Sequence, residues 1–164
     1  MITGVVFTIF ALSAPAASAS ADGKAAFERL KSLAGEWQGA VGAPGGPPAS
    51  IRYEVGPGGT IVRELLFPGT EHEMLSVYHL VDGQLVATHY CAVGNQPRFK
   101  LKSASADGLV FAFDGGTNFA PARDLHVHDG WIRFTGPDRL EEDRTVYKAG
   151  QQAGEHRFVL TRKK

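Results

Sequence analysis

Thiols are almost absent from this chain. Cys91 stands alone, so no internal disulfide can form. An oxidising compartment presses an exposed lone thiol toward oxidation, which favours an inward-facing Cys91. No sign of charge dominates: 17 basic residues balance 17 acidic ones. That leaves no electrostatic footprint for nucleic acid or for an anionic membrane surface. The terminal Arg162-Lys163-Lys164 run is short and reads as a solvated end. No apolar run is long enough to span a bilayer as a helix. The chain has no Gly-x-Ser-x-Gly nucleophile elbow and no Cys-x-x-Cys-His motif for covalent haem. Helical periodicity is scarce as well. Asp22 to Leu33 is the one clear stretch, with Asp22 as cap and Ala26, Phe27, Leu30 and Leu33 on a single stripe.

The first residues read as an export signal. An apolar run from Val5 to Leu12 is followed by small residues from Ser13 to Ala21. Ala17-Ser18-Ala19 and Ala19-Ser20-Ala21 both suit signal peptidase. No Lys or Arg precedes Val5, which departs from the usual pattern. The expectation is a signal peptide over residues 1–21 and one exported domain over residues 22–164, periplasmic or secreted.

Strands fill the rest. Turn residues separate short alternating runs, giving about ten strands with short sequential connections and no crossover helix. Such an antiparallel meander avoids exposed edges most simply by closing into a barrel. The organising hairpin is Glu71 to Arg98. Asp82-Gly83 suits a two-residue type I′ turn, so facing residues sum to 165 in number. Ser76 then faces His89, Tyr78 faces Ala87, Leu80 faces Leu85 and Met74 faces Cys91, all on one face. The other face carries Leu75, Val77, His79, Val86, Thr88 and Tyr90, and neither is plainly wet. Further hairpins are expected at Ala106-Asp107-Gly108, as a three-residue loop with a left-handed Gly108, and at Asp129-Gly130. A fourth pairs Arg139–Lys148 with Glu155–Thr161.

Gly35-Glu36-Trp37-Gln38-Gly39, after a short helix, resembles the Gly-x-Trp opening of the calycin superfamily, the lipocalins and their relatives. His72-Glu73-Met74, Tyr78-His79, Thr88-His89-Tyr90-Cys91, Gly94-Asn95-Gln96-Pro97-Arg98 and His126-x-His128 together resemble a group of exported bacterial lipocalin-like proteins of unknown function. The resemblance runs from about Leu33 to Lys163. It implies an all-β calycin-like barrel with one short N-terminal helix. It implies no activity, cofactor or catalytic residue.

The candidate site follows from the hairpin. Ser76, Tyr78, His89 and Cys91 set a few polar groups into an apolar face, the composition of a small-molecule pocket. Glu64 interrupts an apolar strand and needs a partner if buried; Arg98 or Arg123 could supply one. The expected ligand set is therefore Ser76, Tyr78, His89, Cys91, Arg98 and Glu64 around a small apolar molecule, with no cofactor. A Ser76–His89 dyad for a hydrolase or isomerase is the competing reading, but it lacks an orienting carboxylate and an oxyanion hole. His126 and His128 point the same way and could join a metal or haem site if a third ligand converged; the outer face of their hairpin argues against it. A filled barrel with a structural envelope role is the third reading. Glu141, Glu142, Asp143 and Arg144 read as a solvated strand.

Overall fold

The structure, a computed structural model, describes residues 22–164; the expected signal segment lies outside them. A helix, α1 (Gly23–Lys31), precedes ten strands: β1 (Gly35–Val41), β2 (Pro48–Val55), β3 (Ile61–Leu66), β4 (Met74–Val81), β5 (Gln84–Tyr90), β6 (Gln96–Ser105), β7 (Gly108–Thr117), β8 (His126–Gly136), β9 (Arg139–Lys148) and β10 (Gln151–Arg162). Each strand pairs antiparallel with its sequence neighbours, and β1 pairs with β10. The sheet is thus a closed meander barrel with no free edge. No helix among the described residues is long and apolar enough to cross a membrane.

The helix stops one end of the barrel. Asp22 accepts from the backbone N–H groups of Lys24 and Ala25 at 3.0 and 3.1 Å, satisfying donors that the first turn leaves orphaned. Ala26, Phe27 and Leu30 form its buried face. Gly23 lies so close to the β4–β5 turn that a Cβ there would sit 2.2 Å from the Gly83 carbonyl oxygen. Leaving the helix, Leu33 accepts from the Trp37 indole N–H at 2.8 Å. The Arg162 guanidinium covers that ring at 4.3 Å and donates to the carbonyls of Ala34 and Ser32 at 2.8 and 3.1 Å. First strand, last strand and helix end are fastened together there.

The β4–β5 hairpin takes the expected register. Asp82 and Gly83 have φ of 49° and 82°, as type I′ demands, and Ser76 faces His89, Tyr78 faces Ala87 and Leu80 faces Leu85. Ser76, Tyr78, Ala87 and His89 are buried and line the interior. The other face is the outside: Tyr90 is exposed, and Leu75, Val77, His79, Val86 and Thr88 are half-buried.

Two hairpins differ from expectation. Ser105 faces Gly108, so the β6–β7 loop has two residues, and Gly108 is not left-handed. A register shift between Leu101 and Ser103 then brings Leu101 opposite Phe111. This bulge at Lys102 does what the longer loop was expected to do: it keeps lysines outside and large apolar residues inside. Asp129-Gly130 is no turn either. It lies within β8, beside a register shift between Val127 and Asp129. The Asp129 carboxylate accepts from the Phe113 N–H at 3.1 Å, and a Cβ on Gly130 would come within 2.8 Å of the Asp143 carbonyl oxygen. The residue left without a partner by that shift is His128, and Asp129 and Gly130 pair regularly with Thr145 and Arg144.

Candidate functional site

The register lines up a row of side chains through one wall of the barrel. Tyr53 on β2 faces Glu64 on β3, Glu64 faces Ser76 on β4, and Ser76 faces His89 on β5. Tyr78, two residues along β4, points the same way. From the opposite wall, β9 sends in Glu142 and Arg144. All these side chains are buried, Glu64 and Glu142 completely.

Hydrogen bonds join them across the lumen. Arg144 Nη2 donates to Glu64 and, at 3.0 Å, to Glu142. The Tyr78 hydroxyl donates to Glu64 at 2.6 Å, and the Tyr53 hydroxyl donates to Glu142. His89 Nδ1 shares a hydrogen bond with the Ser76 hydroxyl at 3.0 Å. Burial drives the Glu142 carboxyl well above its ordinary range, and the Glu64 charge pushes it further. Burial works against ionised Glu64 too, but the Arg144 guanidinium and the hydrogen bonds of Glu142 and Tyr78 outweigh it and lower that carboxyl. The network therefore holds one guanidinium, one carboxylate and one protonated carboxyl. Burial, and then the Arg144 charge, lower His89 to about 4, so its imidazole is neutral at pH 7.

Beyond this network, toward the end away from α1, lies a cavity of about 250 Å³. Its walls include Leu66, Phe67, Met74, Val127, Val146 and Phe158, with Val41, Val93 and Leu125 around the mouth. His89 and Arg144 border it. His89 Nε2 is buried and has no hydrogen-bond partner among the described residues. A second void, of about 20 Å³ between Ser76, Tyr78, Phe111 and Arg144, is the size of one water.

Of the residues expected at the site, Glu64, Ser76, Tyr78 and His89 come together. Cys91 borders the same cavity, half-buried, its sulfur 4.0 Å from that of Met74. Arg98 does not belong: its position on β6 faces outward and it is exposed. Arg123 is also exposed and grips Asp124 with two hydrogen bonds, at 2.8 and 2.9 Å. Neither answers Glu64, and Arg144 does. The reading of Glu141 to Arg144 as a solvated strand fails for the same reason. Glu142 and Arg144 alternate in phase with Leu140 and Val146, so a strand that buries the two apolar residues buries the two charged ones. That alternation was the available signal, and the mutual pairing makes it affordable.

The Ser76–His89 contact exists, but no carboxylate hydrogen-bonds to His89, and its Nε2 is buried without a partner among the described residues. The triad arrangement is not assembled. His126 and His128 lie on the outer side of β8, yet His126 is buried rather than semi-exposed, because Phe119 folds over it at 4.8 Å. His126 Nδ1 donates to the Asp124 carbonyl at 2.8 Å. Its Nε2 lies 3.1 Å from His128 Nδ1, which must then be the donor when His126 is neutral. That bond occupies the His126 lone pair a metal would need. His128 is stacked between Phe113 at 4.4 Å and Tyr147 at 4.0 Å. The described residues contain no group of three side chains arranged to hold a metal ion.

The molecule is thus a ten-stranded antiparallel barrel, stopped by a helix at one end and hollow toward the other. The chain matches no protein-family model and no curated protein.

Proposed function

We infer that this chain is an exported, calycin-like barrel that holds one small, largely apolar molecule. The observation that carries the reading is the 250 Å³ cavity, whose apolar walls end at His89 and Arg144. A void of that size exceeds by more than tenfold the ~10–15 Å³ that holds one water. Apolar lining with a few convergent polar groups is the usual make-up of a ligand site. The calycin-like assignment draws on the meander topology and on the Gly-x-Trp opening at Trp37. Export draws on the apolar run from Val5 and the small residues up to Ala21.

Native mass spectrometry of protein purified from its own envelope should find a small molecule bound, and heating should release it with the unfolding transition. Replacing His89 by Phe should alter retention of that molecule more than it alters folding, because the ring keeps its bulk. Thr88→Ala, on the outer face, should leave retention unchanged. Loss of retention in the Thr88 variant alone would place the site outside the barrel. N-terminal sequencing of the envelope protein should begin near Ser20 or Asp22, and an intact Met1 would remove the export proposal.

A further inference from the structure

One wall of the cavity carries a polar pair that the buried network leaves partly unused. Arg144 on β9 and His156 on β10 are register partners, so their side chains stand side by side on one face of the sheet. That face is the inner one, because His156 is in phase with the buried Phe158 and Leu160. Both residues border the cavity, with His156 exposed at its rim. Arg144 commits Nη2 to Glu64 and Glu142 and Nη1 to the Asp143 carbonyl at 3.3 Å. Its Nε–H has no acceptor among the described residues, and it is not sealed from solvent as His89 Nε2 is.

A guanidinium N–H can only donate. A guest that meets it must offer an acceptor, and a pure hydrocarbon would take it from water and leave it unpaired. Charge narrows the choice further. Glu64 already answers the guanidinium, with Glu142 beside it. A carboxylate would therefore bring another anion to a buried cation that is already matched. A carbonyl oxygen brings two lone pairs and no charge. It can accept from Arg144 Nε–H and from an imidazole N–H of His156 together, while an apolar body fills the space between Leu66, Met74, Val146 and Phe158. Resting on the reading of the cavity as a binding site, we propose that it takes small apolar molecules carrying one uncharged carbonyl group, seated between Arg144 and His156.

The test uses 2-hexanone, hexane and hexanoate at pH 7 on the full folded protein, with affinities read by NMR titration and Arg144 followed by its Nε–H resonance. 2-Hexanone should move that resonance, and hexane should bind without moving it. Hexanoate should bind about tenfold more weakly than 2-hexanone. In the double variant Arg144→Met, Glu64→Gln, which removes the donor together with its counter-charge, the ratio of 2-hexanone to hexane affinity should fall about tenfold. In His156→Ala, at the exposed rim, the ratio should fall about threefold. An unchanged ratio in either variant overturns the proposal, as does hexanoate binding as tightly as 2-hexanone. If the double variant does not fold, His156→Ala and the wild-type resonance decide: an Nε–H signal that 2-hexanone leaves unmoved is equally fatal. Failure of this inference is separable from failure of the cavity reading. Binding of both hexane and 2-hexanone with Nε–H unmoved sinks only the carbonyl seat, whereas no binding by any probe removes the cavity as a site and the inference with it.

Discussion

At the scale of single residues, the interior depends on who carries protons. His89 is lowered to about 4 from an unfolded value near 6.5. The unfolded chain therefore binds the extra proton first as pH falls. The stability that neutral His89 contributes is complete above pH 6.5 and is lost as pH falls from there toward 4, by about 3 kcal/mol. Glu142 works in the opposite direction, because its carboxyl is raised by burial and by Glu64. The difference between the wild type and His89→Phe isolates the histidine: their gap in unfolding free energy should shift in favour of the variant below pH 6.5, measured by urea denaturation at stepped pH. A gap independent of pH would mean the ring is open to water. Arg144 offers a second test. Arg144→Met leaves Glu64 and Glu142 facing each other without a cation, a loss of ~3–5 kcal/mol for breaking a buried pair. Met at Arg144 with Gln at Glu64 should recover part of it, because the uncompensated charge is gone. Equal destabilisation by the single and double variants would show that packing, not charge, is what Arg144 provides.

Among the elements, α1 and the start of β1 work as one stopper. The helix is only nine residues long, too short to persist by itself in water. Its buried face and the Trp37–Leu33–Arg162 fastening hold it in place. Trp37→Ala should cost ~3–5 kcal/mol in cavity formation and lost burial, and should speed amide exchange in α1 beyond the change in global stability. Uniform acceleration across the barrel would instead mean that the helix and barrel open together. Gly23→Ala is a sharper probe, because the added methyl meets backbone rather than a movable side chain. The helix must shift away from the β4–β5 turn, and the same exchange measurement should report it.

For the molecule as a whole, closure of the sheet leaves two unlike ends. The stopped end is packed with large apolar side chains such as Leu30, Leu85 and Leu160. At the other end, the loops joining the strands surround the cavity, with Met74 and Cys91 side by side along its wall. Occupancy should therefore slow alkylation of Cys91 by iodoacetamide, with 2-hexanone as the probe. Met74→Trp should fill the space, abolish probe binding and leave the barrel folded, as judged by far-ultraviolet circular dichroism. Alkylation at the same rate with and without bound probe would put Cys91 outside the occupied volume.

Local chemistry in the sequence determined most of the architecture. The capped stripe from Asp22 to Leu33, the Asp82-Gly83 turn and the period-two alternation specify a helix followed by a meander, and the hairpin register at Ser76 and His89 follows from turn geometry alone. Only the tertiary structure decided which partner answers Glu64. Sequence near β3 offers no preference among Arg98, Arg123 and Arg144. Closure of the barrel sets β9 across the lumen from β3 and turns Arg98 outward. The interior placement of Glu142 and Arg144 was available in their phase with Leu140 and Val146, whereas the pairing of Arg144 with Glu64 needed the closed sheet. The pairing of Asp129-Gly130 within β8 escaped for a related reason: the dipeptide reads locally as a turn, and only the pairing of β8 along β9, with its register shift at His128, shows that the strand runs through it. The short-range signals were legible because they act within a few residues. The partnerships across the lumen were not, because they exist only once the sheet has closed.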